Sequence, residues 1–232
     1  MIRRLVETVT SLMTWLKRDQ MVELSTTPAK VNLGSSLHVA DGWVNVDGSL
    51  SALFSKWPAF FLRGLYRLAS IRRFYSEESY VSILKHHVFV HHQLLYGLPF
   101  RDETVDYVYS SHLLEHLSRR AALELLREAH RALKTGGTIR ICVPDLEYVF
   151  GLYRAGRKEK ALSYFFADEG DSDLGRHRYM YDYEMLSGSL ESVGFVDTVR
   201  CSHRQGNTPD LDVLDNRPEE TLFVEARKAP QC

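Results

Sequence analysis

Cysteine is scarce in this chain: three residues in 232, Cys142, Cys201 and Cys232, lie far apart and form no C-x-x-C pair. They supply no disulfide framework, and the expected compartment is a reducing cytoplasm. Net charge is almost absent, at a formal −1. No global field therefore selects nucleic acid as a partner. No apolar run is long enough to span a bilayer. No signal peptide is evident either, because Glu7, Thr8, Thr10 and Ser11 interrupt the apolar residues behind Arg3 and Arg4. Internal repeats and low-complexity segments are also missing. What remains is ordinary globular composition, 44% hydrophobic and 25% charged. That is enough to bury a core, in one domain with insertions or a small appendage.

The first segment, 1–24, reads as an amphipathic helix, with Ile2, Leu5, Val6, Val9, Leu12, Met13 and Leu16 at helical spacing. It stops before the linker Ser25-Thr26-Thr27-Pro28 and is expected to cap the core, with a dimer or membrane-surface contact as the alternative. Residues 25–232 form the main domain. Lys30 to Gly34 reads as a buried strand, Trp43 to Asp47 as a second, and 50–80 as a helical insertion rich in aromatics and arginines. Val88 to Val90 and Val105 to Tyr109 give two more strands. A helix is expected from Leu114 to Leu133, ended by Thr135-Gly136-Gly137 in the way glycine ends helices. Thr138 to Val143 is a β-branched strand closed by Pro144. A helix near Asp182 to Val193 and strands over Phe195–Arg200 and Thr221–Arg227 complete the chain, the last two as a candidate antiparallel hairpin. Strands alternating with helices predict a doubly wound, mostly parallel α/β sheet.

In such a sheet ligands bind outside the carboxyl ends of the strands. Gly34, Ser35 and Ser36 follow the first strand, where glycine admits close approach and the seryl N–H groups can face a carboxylate or ribose. Asp47 ends the second strand, where an acid can accept both ribose hydroxyls of an adenosine cofactor. A tight turn beside an exposed aspartate is the competing explanation of this pair.

Several blocks together resemble a known family. Val31-Asn32-Leu33-Gly34-Ser35-Ser36 and Gly42-Trp43-Val44-Asn45-Val46-Asp47 are similar to a group of class I S-adenosylmethionine (SAM) methyltransferases that occur with bacterial surface-glycan genes. Leu98-Pro99-Phe100-Arg101-Asp102-Glu103-Thr104-Val105-Asp106 resembles its LPFxDxSxD block. Ser111-His112-Leu113-Leu114-Glu115-His116-Leu117 resembles its SHxLEHL block, and Leu133-Lys134-Thr135-Gly136-Gly137 the LKPGG turn. The resemblance implies a Rossmann-like, class I methyltransferase-like domain with an N-terminal helix, and SAM as cofactor. It implies cofactor contacts at Gly34, Ser35, Asp47, Gln93, Leu94 and Ser110, and a small-molecule or glycan acceptor. Three departures stand out. One glycine replaces the usual GxG, Asp47 follows Gly34 by thirteen positions, and His91-His92-Gln93 replaces the acid expected near the adenine. The Gln93 carbonyl could accept from an adenine amino group. An oxygen acceptor needs a base, for which His112, Asp145 and His177 are candidates. A non-catalytic binding protein on the same fold is the alternative that the degenerate glycine motif leaves open.

Two further patterns compete. His112-Leu113-Leu114-Glu115-His116 matches H-x-x-E-H, the inverted zinc-peptidase motif, which on a helix would set two histidines one turn apart. Its place directly after a strand argues against that reading, and no metal ligand set is expected. His86, His87, His91 and His92 alternate between the faces of a strand, which disfavours a metal cluster and favours solvated or hydrogen-bonded rings. The stretch Phe54 to Tyr75 interleaves Trp57, Phe60, Phe61, Leu62, Leu65, Tyr66 and Leu68 with Lys56, Arg63, Arg67, Arg72 and Arg73. The expectation is a helix covering the sheet. The alternative is weak contact with an anionic inner-membrane surface.

Overall fold

The computed structural model describes residues 10–68, 70–166 and 176–230. Seven strands form one sheet in the order β3-β2-β1-β4-β5-β7-β6. They are β1 (Lys30–Leu33), β2 (Trp43–Asp47), β3 (Val88–His91), β4 (Val105–Ser111), β5 (Leu133–Pro144), β6 (Phe195–Cys201) and β7 (Thr221–Lys228). The first five run parallel. β7 enters antiparallel between β5 and β6, so the expected hairpin forms and sits inside the sheet margin.

The buried runs explain the parallel centre. Val31, Leu33, Val46, Val108, Ile139 and Ile141 are at most 1% exposed, as strands covered on both faces require. Asn32 and Asn45 interrupt this apolar pattern but stand opposite each other in register. Asn32 Nδ2 donates to Asn45 Oδ1 at 3.1 Å and to the His38 carbonyl at 2.9 Å. Asn45 Nδ2 donates to the Val88 carbonyl, so β1, β2 and β3 are tied by satisfied buried amides.

Residues 10–16 form helix α1. Of the helix expected over 1–24, residues 1–9 lie outside the described residues, and 20–25 are irregular, with Val22 N–H donating to the Pro99 carbonyl. The apolar face of α1 is not covered: Leu12 and Leu16 are more than half exposed. The insertion holds α2 (Leu50–Phe54), α3 (Ala59–Leu68), a 3-10 turn (Ser70–Arg73) and α4 (Glu77–His86). It packs Ala52, Leu62, Tyr80 and Leu84 against Leu37 and Phe89, so it does cover the β3 edge of the sheet. Trp57, Phe60 and Phe74 remain on its outer surface.

Two expected boundaries are corrected. The helix after β4 begins at Arg119, as α5 (Arg119–Ala132), with Ser118 as N-cap accepting from Ala121 N–H. Leu114–His116 is instead a 3-10 turn. The Glu115 side chain is fully buried, and its carbonyl accepts from Arg178 and Tyr179 N–H groups, which holds this turn away from the helix. Nor does the glycine pair end α5. Leu133 is already extended and fully buried, pairing with Val105, and Gly136 takes a positive φ of 78° within the bulged start of β5.

The remaining helices are α6 (Leu146–Arg154), α7 (Lys158–Leu162), α8 (Tyr183–Glu191) and α9 (Leu211–Leu214). α5 and α8 bury their apolar faces against one side of the sheet, through Leu125, Leu126, Ala129, Leu186 and Leu190. The other side is closed by the β6–β7 connection, whose Leu211 and Leu214 pack on Trp43, Tyr109, Cys142 and Phe223. That connection is anchored by Arg140, which is fully buried. Its guanidinium binds Asp215 through two nitrogens at 3.0 and 2.5 Å, Glu225 at 3.1 Å, and the carbonyls of Ser202 and Gln205. No helix among the described residues is long and apolar enough to cross a membrane.

Candidate functional site

The loop after β1 is shaped by hydrogen bonds from its neighbours. Gly34 (φ 66°) donates its N–H to the Val46 carbonyl, and Ser36 (φ 48°) donates its N–H to Asp47 Oδ2 at 2.9 Å. Asp47 Oδ1 accepts from Ser49 N–H at 2.8 Å. Each carboxylate oxygen keeps a second lone pair for a ligand. A Cβ on Gly34 would lie 2.9 Å from Leu113 Cδ1. The left-handed φ favours glycine there, and a Cβ would also have to push the tip of the Leu113 side chain aside, apart from any approach of a ligand.

A cavity of about 400 Å³ opens beside this loop, at the carboxyl ends of β1 and β4. This is where the strand order reverses, the place at which open α/β sheets bind ligands. Gly34, Ser35 and Ser36 line one part of it, and His112, Glu115, His116 and His177 another. Ser35 and Ser110 are buried, with hydroxyl oxygens that have no hydrogen-bond partner among the described residues. Buried orphan hydroxyls at such a place fit a polar ligand.

His112 directly follows β4 with φ 52°, a conformation rare for a residue with a side chain, held by its N–H donating to the Cys142 carbonyl. Its Nδ1 lies 3.2 Å from Glu115 Oε1 and its Nε2 3.2 Å from Thr221 Oγ1. A carboxylate only accepts, so Nδ1 carries the proton, and the Nε2 lone pair can accept from the threonine hydroxyl. The Arg178 N–H bond to the Glu115 carbonyl, 2.6 Å, draws the segment after residue 175 across the cavity and delivers His177. His177 Nδ1 donates to the Tyr164 carbonyl at 2.7 Å, and burial pushes its pKa below the usual value, keeping the ring neutral. Tyr164 hydroxyl in turn donates to Glu220. Asn216 and Arg217 enter the cavity from the β6–β7 connection, immediately after the Asp215 that Arg140 holds.

The cavity therefore brings together five residues expected from the sequence: Gly34, Ser35, Ser36, His112 and His177. Asp47 lies one hydrogen bond behind Ser36, and Ser110 directly precedes the lining residue Ser111. Gln93 and Leu94 are elsewhere. Gln93 precedes a 3-10 turn (Leu94–Tyr96), and Leu94 is buried in the core beside a separate groove. Asp145 is not in the cavity. It caps α6 by accepting from Glu147 N–H and pairs with Arg200 at 2.7 Å, while burial raises its pKa. Glu115, His116, Asn216 and Arg217 were not expected as site residues. The first two were visible in the SHxLEHL block and in the H-x-x-E-H string, but were assigned a role only in the peptidase reading. With residues 114–116 in a 3-10 turn and His112 at positive φ, the string does not present its histidines one α-helical turn apart.

The sheet order, the antiparallel β7 and the cavity at the β1/β4 switch point decide the architecture. The fold is that of a class I methyltransferase. Residues 67–141, less than half of the chain, match the family model described as a methyltransferase domain. The chain also superposes on solved methyltransferase structures. A SAM-dependent methyltransferase from Thermotoga maritima shares 18% identity at TM-score 0.50, over 95% of this chain and 92% of that one. The S-adenosylmethionine-dependent methyltransferase SibL shares 18% identity at TM-score 0.50, over 88% of this chain. The match spans 52%, about half, of SibL's own length. No curated protein matches by sequence. The Gly34–Ser36 loop, with Asp47 bonded behind it, and the histidine-rich wall line the same cavity of this fold.

Proposed function

We propose that the protein is a SAM-dependent methyltransferase acting on an oxygen acceptor of a polar small molecule or glycan. The observation that supports this is one cavity that joins the Gly34–Ser36 loop to His112 and His177. Gly34 and Ser35 would hold the amino-acid end of the cofactor, Asp47 the ribose hydroxyls and Ser110 a further polar atom. Gln93 and Leu94 would serve the adenine side only from outside this cavity. Bound there, the cofactor supplies an electrophilic methyl group.

The chain's own part is orientation and proton handling. Glu115 accepts from His112 Nδ1, which leaves a lone pair on Nε2. His112 can thus take the proton of an acceptor hydroxyl, directly or through the Thr221 hydroxyl beside it. His177 has the same tautomer, set by the Tyr164 carbonyl. Arg217 lines the same cavity and offers a cation to a polar acceptor. The proposed location is the cytoplasm, at the inner surface of the membrane. Its support is the exposed Phe60 and Phe74 beside Arg63, Arg67, Arg72 and Arg73.

Calorimetry with SAM and S-adenosylhomocysteine tests the reading. The wild-type chain is expected to bind both. Asp47→Ala removes a charge-assisted acceptor and should weaken binding by about 1–3 kcal/mol. His112→Gln should retain binding and lose turnover. A wild-type chain that binds neither compound would sink the assignment, and unchanged affinity in Asp47→Ala would remove that residue from it.

A further inference from the structure

Beyond methyl transfer, one side-chain cluster has no part in holding the cofactor. Single ligand atoms of Glu115, His116 and His177 all lie within 4.8 Å of one another. Glu115 is fully buried, yet its Oε2 has no hydrogen-bond partner among the described residues. A buried carboxylate oxygen left without a donor costs free energy unless a cation or a proton donor meets it.

The remaining bonds fix which atoms of the cluster are left to ligate. His177 Nδ1 donates to the Tyr164 carbonyl at 2.7 Å, and His116 Nδ1 donates to the Arg176 carbonyl at 3.3 Å. In the neutral form of each ring, Nε2 is then the nitrogen left to ligate. His116 Nε2 already lies 3.9 Å from Glu115 Oε1. His112 Nδ1 donates to that same Oε1, which orients the carboxylate and leaves Oε2 available. Histidine rings anchored through one nitrogen to a carbonyl, beside a carboxylate anchored by its own donor, are the outer-shell pattern of metal ligands.

We propose that Glu115, His116 and His177 form a binding site for a divalent first-row transition ion, with an open coordination position toward the cavity. Two imidazoles and one carboxylate suit zinc and its neighbours, whereas magnesium and calcium select all-oxygen sets. In a tetrahedral site with bonds of about 2.1 Å, ligand atoms stand about 3.4 Å apart. A bound ion thus draws the two imidazoles inward by small side-chain rotations. The open position would take an oxygen donor of a molecule in the cavity, such as a hydroxyl or carboxylate.

The test uses the full chain, treated with chelator and titrated with Co²⁺ and then Zn²⁺. The expected result is one Co²⁺ per chain with a visible d–d spectrum, displaced by Zn²⁺ and not by Mg²⁺ or Ca²⁺. His116→Ala, His177→Gln and Glu115→Gln should each lose the spectrum. His112→Ala should keep it, with affinity about 10–100-fold weaker, as for loss of an outer-shell partner. The exposed-histidine variant His86→Ala should match wild type. Far-UV circular dichroism checks that each variant is folded. His116 is partly exposed, so its variant remains informative if the Glu115 variant unfolds. A Co²⁺ spectrum that is absent in wild type, survives in both histidine variants, or disappears in His86→Ala would overturn the proposal. Displacement by Mg²⁺ would overturn the choice of ion class.

Discussion

Arg140 shows how much one residue can carry. It sits in a strand with Ile139, Ile141 and Val143, all buried, and has no exposed surface itself. An isolated buried guanidinium would be prohibitive, but Asp215 and Glu225 supply two carboxylates and the backbone supplies two carbonyls. Asp215 also accepts the N–H of Arg204 at 2.7 Å, and Glu225 accepts those of Asn207 and Thr208. The pair therefore orders the whole connection that places Asn216 and Arg217 in the cavity. Asp215→Ala is expected to destabilise the fold by about 3–5 kcal/mol, the cost of leaving a buried charge unpaired. Urea unfolding measures it. A loss below about 1 kcal/mol would mean that Glu225 alone satisfies the guanidinium. Nothing local in Thr138–Val143 announces this role, because the partners are 75 and 85 residues away. By contrast, the places of Gly34 and Asp47 at the carboxyl ends of β1 and β2 were legible, since strand ends are marked by short-range sequence signals.

Elements were legible where their chemistry is local. The Trp43–Asp47 strand has the bounds its sequence suggests, because alternation and flanking glycines are short-range signals. The helix after β4 was not, since its true start depends on Glu115 turning inward and on a segment more than 60 residues later bonding the Glu115 carbonyl. Hydrophobic spacing alone continues the helix backwards to Leu114. The insertion α2–α4 takes the covering role expected of it. It covers the sheet through Leu62, Tyr80 and Leu84, and still presents Phe60 and Phe74, each more than 70% exposed. Arg63 and Arg67 lie within 4 Å of Glu77, weak exposed pairs that leave the patch basic. Co-sedimentation with anionic vesicles at low salt is the check. Binding is expected at low salt, with release at high salt, since each basic residue near such a surface contributes about 1 kcal/mol. Arg63→Glu with Arg67→Glu should abolish it without unfolding the domain. Indifference of the wild-type chain to anionic vesicles would leave the insertion as sheet cover alone.

At the scale of the molecule, stability is expected to depend on histidine. Burial lowers the pKa of His91, His92 and His130 below the free value. His91 is faced by Lys17 and His92, which oppose its protonation, and by Asp47 and the Gly48 backbone, which favour it. His92 is faced by the Gly97 carbonyl and His130 by Lys228. A folded pKa below the unfolded one means that the unfolded chain binds more protons as pH falls through about 6.5. The stabilisation these rings allow is thus present above that pH and declines below it. The urea midpoint should drop between about pH 7.5 and about pH 5.5, and His92→Gln should flatten the decline. A midpoint constant over that window would show that the three rings titrate alike in both states. The sheet order adds a consequence for synthesis. β7 follows the other six strands in the chain but lies inside the sheet, bonded to β5 on one side and β6 on the other. While the ribosome still holds residues 221–228, β5 has a bare edge, Arg140 lacks Glu225, and His112 lacks Thr221. A nascent chain stalled there would present a long, apolar strand edge to its neighbours on the polysome, so aggregation with sister chains competes with the last step of folding.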